Sequence, residues 1–178
     1  WSPLWVMVIF QLFKISNIFK IPYYGLIKVI PIICDAIISV IIYKIFLNTS
    51  LDSKKSIIAS SLYALNPISI IITSIHGNFV SIPLVFLIIS AYILYCKKKY
   101  SIVYSSLALG FAIMSKIWPV LFLPILLQKI KTFRNRLVYI LLSVVPLLIS
   151  ILPLYLTNKD TVIKRFLKYE SMPGWWGF

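Results

Sequence analysis

The residues able to do chemistry gather in a few short polar breaks of an otherwise apolar chain. His76 is the single histidine and lies in Ser74-Ile75-His76-Gly77-Asn78-Phe79. In a tight turn, His76 and Asn78 serve either as a solvated connector or as hydrogen-bond donors to a sugar or phosphate. Lys116, in Met114-Ser115-Lys116-Ile117-Trp118-Pro119, interrupts two apolar runs. A lysine there either snorkels to the membrane surface or meets an anionic group such as a lipid-linked phosphate. Asp35 sits about half-way along an apolar run, with Lys28 seven residues earlier on the same helical face. That spacing suits a structural ion pair as well as a catalytic role. Arg165 and Lys164 add cations, and Glu170 stands near the adjacent Trp175 and Trp176. Paired indoles are either membrane-belt anchors or stacking faces for a sugar, with the carboxylate taking its hydroxyls.

The elements that position these residues must be membrane helices. Of 178 residues, 61% are hydrophobic and 12% charged, with a mean hydropathy of +0.97. A soluble domain is about 45–50% apolar and about 25% charged, so a soluble enzyme is excluded, and so is disorder. Apolar runs fall at about 4–19, 24–47, 56–74, 79–96, 101–115, 117–128 and 137–156. Crossing about 30 Å of hydrocarbon takes roughly 20 apolar residues as helix, and the strict alternation of barrel strands is absent. The first run is short and broken by Gln11, Lys14, Ser16 and Asn17. It reads as an interfacial helix anchored by Trp1 and Trp5 in preference to a span. The fold expected is all-α: a polytopic transmembrane helix bundle of about six spans with an N-terminal interfacial helix. Residues 1–21 form that helix, 22–156 the bundle and 157–178 an outer loop, all in one membrane-embedded domain.

Charge then orients the bundle. The excess of 18 Lys and Arg over 4 Asp and Glu points to cytoplasmic loops and anionic membrane lipids as partners, with no nucleic acid. Lys54–Lys55, Lys97–Lys99, and Lys129, Lys131, Arg134 and Arg136 occupy alternate connections, so they share one face, cytoplasmic by the positive-inside rule. His76, Lys116 and the tail share the other face, although the tail's own Lys159, Lys164, Arg165 and Lys168 run against that rule. Prolines inside the runs, among them Pro31, Pro67, Pro119 and Pro146, predict bends. Cys34 and Cys96 read as apolar fillers, not a disulfide or metal pair. Neither Trp1 nor Phe178 looks like a natural terminus, so an internal piece of a longer polytopic chain is expected.

Four segments carry a resemblance. Trp1-Ser2-Pro3-Leu4-Trp5 resembles the Tyr-Pro-Pro-Leu segment that follows the first outer-loop aspartate of polytopic GT-C glycosyltransferases. Ile75-His76-Gly77-Asn78-Phe79 resembles the His-Gly-His/Asn-Phe turn of the lipid-linked glucosyltransferases of asparagine-linked glycosylation, and the Gly-x-Phe-Asp-Ser turn of their prokaryotic relatives. Gly110 to Pro119 is similar to the Gly-hydrophobic-Ala-x-x-x-Lys-x-x-Pro hairpin of that superfamily. The Pro-Gly-Trp-Trp-Gly tail is similar to the outer-loop segment of archaeal-type members. The match touches nearly the whole chain, in order and on one face. Val80 stands where the prokaryotic turn has Asp, so no carboxylate role carries over there.

The resemblance implies an integral-membrane hexosyltransferase in the cell membrane, acting on the non-cytoplasmic side. It implies a polyprenyl-phosphate sugar donor and a lipid-linked or glycan acceptor. The catalytic aspartate, as general base, is expected upstream of Trp1, leaving this segment without transfer activity of its own. His76, Asn78, Lys116, Arg165, Glu170, Trp175 and Trp176 are then substrate-binding. No cofactor is certain, and a divalent metal stays open. A transporter or channel segment, and a non-catalytic membrane scaffold, are the alternatives; both leave His76, Lys116 and Trp175 without a role.

Overall fold

A computed structural model of the chain describes residues 3–50, 52–75, 77–157 and 159. Helices α1 (Pro3–Phe19), α2 (Tyr23–Ser50), α3 (Ser53–Ala64) and α4 (Pro67–Ile70) come first. A π-helical turn (Ile71–Ile75) follows α4, then α5 (Ser81–Cys96) and α6 (Ser101–Ser115). A 3₁₀ turn (Trp118–Phe122), α7 (Leu123–Leu127) and α8 (Phe133–Thr157) complete the order. The fold is the expected all-α membrane helix bundle, with no strand among the described residues. Every apolar run of the sequence is helical. By length and composition, however, only α2 and α8 are unbroken candidate spans, or three if the bent α3–α4 pair counts as one. At 16 and 15 residues, α5 and α6 reach only about 24 Å. The breaks at Lys97–Tyr100 and Lys116 cut them short of the hydrocarbon thickness.

Local chemistry sets the boundaries. Asp52 caps α3, its Oδ1 accepting from the backbone N–H of Lys54 (2.9 Å) and Lys55 (3.3 Å). Asn66 caps α4 by accepting from the Ile68 N–H at 2.9 Å, with Pro67 in the first helical position, where its missing N–H costs nothing. This cap forces a new helix to begin at Pro67, and the axis turns by 40° between the two halves of the run.

Two clusters form the interior. Leu87, Leu94, Leu109, Ala112, Ile113, Leu126, Ile130 and Tyr139 join α5, α6, α7 and α8. Trp5, Cys34, Ile38, Ile82 and Val85 join α1, α2 and α5, with Phe86 touching both clusters. Trp5 thus departs from the expected surface anchor. It is 2% exposed, because α1 also lies on α2, α6 and α8 and turns the indole inward. Apolar side chains such as Phe10, Ile33, Val40, Leu141, Leu148 and Ile149 stay exposed on the outer faces, as lipid requires and water forbids.

Hydroxyls tie the bundle where no water reaches. The Tyr139 hydroxyl lies 2.8 Å from the Ser90 Oγ and 3.1 Å from the Ser105 Oγ, and Ser105 donates to the Ser90 carbonyl at 2.8 Å. One buried network therefore links α5, α6 and α8, each such bond contributing about 0.6 kcal/mol in a membrane. Beside it, α6 and α8 approach closely at Gly110. A methyl group there would stand 2.7 Å from both the Ser143 carbonyl and the Pro146 ring. Gly110→Ala should therefore separate the two helices at a cost of about 1–3 kcal/mol, read as a lower melting temperature of the detergent-solubilised full-length protein. An unchanged melting temperature would show that the helices do not meet at this residue.

Candidate functional site

The site is assembled around the link from the π-helical turn to α5. Gly77 takes φ +68°, a left-handed conformation that costs glycine nothing and burdens residues with a Cβ. The backbone N–H of Asn78 returns to the Ile72 carbonyl at 2.9 Å, closing the turn, and its side chain is exposed. Lys28 of α2 clamps the turn from the side. Its ammonium donates to the Ile75 carbonyl at 2.9 Å and to the Tyr24 hydroxyl, and lies 3.8 Å from the Tyr24 ring centroid.

Lys116 arrives from the end of α6. Its N–H still donates to the Ala112 carbonyl at 3.1 Å, but its backbone is extended (φ −150°, ψ 150°), so the helix stops and the side chain leaves the axis. The Nζ stands 4.5 Å from the Phe79 ring centroid. Phe79 in turn stacks on buried Trp5, with centroids 4.7 Å apart and planes at 21°. A cation over an aromatic face gains about 0.5–2 kcal/mol, more as water is excluded. Burial pushes the Lys116 ammonium below the ordinary lysine value. No carboxylate pairs with Lys116 among the described residues, where the recorded ion pair is Lys55 with Asp52. The arrangement is a half-buried cation, steadied by a ring and able to accept an anion.

The ion pair considered between Lys28 and Asp35 does not form. Lys28 is engaged by the turn, about 10 Å along the helix from Asp35 at 1.5 Å per residue. Asp35 accepts instead from the Tyr63 hydroxyl at 2.8 Å and the Ser69 hydroxyl at 3.4 Å. Of the residues singled out in the sequence, the structure places Asn78 next to Phe79 in the link and Lys116 over the Phe79 ring. His76, Arg165, Glu170, Trp175 and Trp176 lie outside the described residues. Among the described residues no three of His, Cys, Asp and Glu come together as metal ligands. Sequence reasoning missed Phe79 and Trp5 as the platform of Lys116, because stacking between α1 and the link before α5 leaves no spacing signal. The role of Lys28 was signalled by Tyr24 one helical turn before it.

With the geometry in place, comparison with known proteins adds a second line. The chain is similar to two proteins called GPI mannosyltransferase 1. One, from Candida albicans, is 32% identical over 106 residues, covering 59% of this chain and 26% of that protein. The other, from Debaryomyces hansenii, is 37% identical over 110 residues, again 59% of this chain and 26% of the relative. The chain spans about a quarter of the length of these curated relatives. No described protein family matches it, and no solved structure does.

The depressed basicity of Lys116 has a direct readout. In the full-length protein, the pH midpoint for acylation of Lys116, followed by peptide mass spectrometry, should fall below the ordinary lysine value, since a larger fraction is neutral at any given pH. A wild-type midpoint at the ordinary value would show that Lys116 is not buried over the ring.

Proposed function

We propose that this chain is part of a membrane glycosyltransferase that moves a mannosyl residue from a polyprenyl-phosphate donor to a glycolipid acceptor on the non-cytoplasmic face. The observation that carries this reading is the half-buried Lys116 ammonium, held over Phe79 and Trp5 with no carboxylate partner among the described residues. The similarity to two GPI mannosyltransferases supports the choice of mannose and of a glycolipid acceptor.

The chemistry follows from charge. The acceptor hydroxyl oxygen bonds to the anomeric carbon as the bond from that carbon to the phosphate oxygen breaks, and polyprenyl phosphate leaves with one more negative charge. Lys116 neutralises that growing charge in a site poor in water, where a fixed cation stabilises a transition state far better than it would in solvent. The hydroxyl proton goes to a carboxylate base, the aspartate expected upstream of Trp1. Asn78 and His76 bind the sugar or its phosphate from the turn. Arg165, Glu170, Trp175 and Trp176 complete the site from the outer loop, with cation, carboxylate and stacking faces. Anionic lipid holds the opposite, Lys-rich end of the bundle.

Membranes carrying the full-length protein, supplied with radiolabelled polyprenyl-phosphate mannose and a glycolipid acceptor, test the reading. Lys116→Ala should lower the transfer rate by about a hundredfold with expression and melting temperature intact, and Lys116→Arg should restore part of it. Wild-type turnover from the alanine variant would remove Lys116 from the site. Failure of the wild-type protein to transfer mannose would overturn the assignment.

A further inference from the structure

A cavity of about 230 Å³ opens between α2, the bent α3–α4 segment and the π-helical turn. Its wall carries Asp35 and the hydroxyl-bearing residues Ser39, Tyr63, Ser69, Thr73 and Ser74. In a chain that is 61% hydrophobic, that concentration of polar groups needs a reason. Asp35 lies about half-way along α2, a candidate span, and an ionisable group at such depth marks function more often than structure.

The hydrogen bonding of the cavity is incomplete in one direction. A carboxylate has about four acceptor positions, and Asp35 receives one hydroxyl on each oxygen, from Tyr63 and Ser69. No lysine or arginine lines the cavity. The Ser39 and Thr73 hydroxyls spend their protons on carbonyls of their own helices, Asp35 at 3.0 Å and Ser69 at 2.7 Å. Of the wall's hydroxyls only Ser74 keeps an uncommitted proton, so open acceptor positions outnumber donors. The ligand that fits brings several donors. Size narrows the choice: a water takes about 30 Å³ of liquid, so the space equals about seven or eight waters, below the roughly 300–1,000 Å³ of sites for drug-sized ligands. An acyl chain would bring no donors and leave the carboxylate desolvated. The π-helical turn adds the last element. Such turns are rare and frequent at functional sites, and this one carries both Thr73 and Ser74 on the cavity wall, three residues before the link that holds Gly77, Asn78 and Phe79.

We propose that this cavity is a second sugar-ring site, in which Asp35 accepts hydrogen bonds from ring hydroxyls. The choice of a sugar over other polyols rests on the glycosyl-transfer reading. The site holds one monosaccharide unit of the substrate beside the π-helical turn, while Lys116 takes the phosphate.

The test uses full-length Ser74→Cys protein in phosphatidylcholine nanodiscs, free of sugar-based detergent, with a small methanethiosulfonate reagent reporting access to the cavity. Methyl α-mannopyranoside should slow modification of the cysteine several-fold, and cyclohexylmethanol, a ring of similar size with a single hydroxyl, should not. Asp35→Asn in the same background should raise the mannoside concentration needed by about tenfold, the loss expected for a hydrogen bond to a charged group. Equal modification rates with and without mannoside, equal protection by cyclohexylmethanol, or protection indifferent to Asp35→Asn would overturn the site. Where Asp35→Asn does not fold, the comparison of mannoside with cyclohexylmethanol decides. No transfer is measured, so lost protection with mannosyl transfer intact overturns this site alone, and lost transfer with protection intact overturns the donor chemistry at Lys116 alone.

Discussion

Lipid supplies no hydrogen bonds, so a polar group that enters the bundle must find its partner inside the protein, and most of the local structure described above is a solution to that constraint. Serine and threonine hydroxyls along the helices return to carbonyls three or four residues back, as Thr49, Ser56, Ser115 and Ser143 do. Where one helix cannot provide the partner, two or three share it. Ser90, Ser105 and Tyr139 form one such network, and Ser81 donating to the Pro31 carbonyl at 3.1 Å is another. Among the described residues no buried side-chain nitrogen or oxygen is left without a partner.

The same constraint explains why the two charged side chains near the turn are held as they are. Lys28 cannot reach Asp35, so it takes a carbonyl, a phenol and an aromatic face. Lys116 has an aromatic face and the open end of the bundle. Among the described residues neither cation pairs with an acid, and both stand beside the link that leads into α5.

Fold class and helix placement were legible in the sequence because membrane helices announce themselves by length and composition alone, and all the apolar runs are helical. Their division was less legible. The run at 56–74 reads as one span, yet the Asn66 cap and Pro67 split it, since a capping side chain four atoms long outweighs the hydropathy of its neighbours. Trp5 shows the opposite limit. Its composition and position match an interfacial anchor, but an indole at the start of an amphipathic helix can face lipid or protein, and only the packing of α1 on its neighbours decides. At the site, Lys116 and Asn78 stood out as polar residues in apolar surroundings. The Phe79 ring beneath Lys116 did not, because one phenylalanine among many carries no mark. Asp35 was visible and its partner was not: a tyrosine twenty-eight positions later has no periodic relation to it.

The π-helical stretch at Ile71–Ile75 carries one residue more than an α-helical path of the same rise would use. Single-residue insertions and deletions within a membrane helix ordinarily rotate everything beyond them by about 100°, exchanging the lipid-facing and protein-facing sides. A stretch that already stores a surplus residue can absorb such a change locally, tightening to α or widening again, while the helices on either side keep their faces. The azimuth of the turn around the bundle is therefore an adjustable quantity in this architecture. A lineage could gain or lose one codon in this stretch with the packing of α2, α3 and α5 left as it stands.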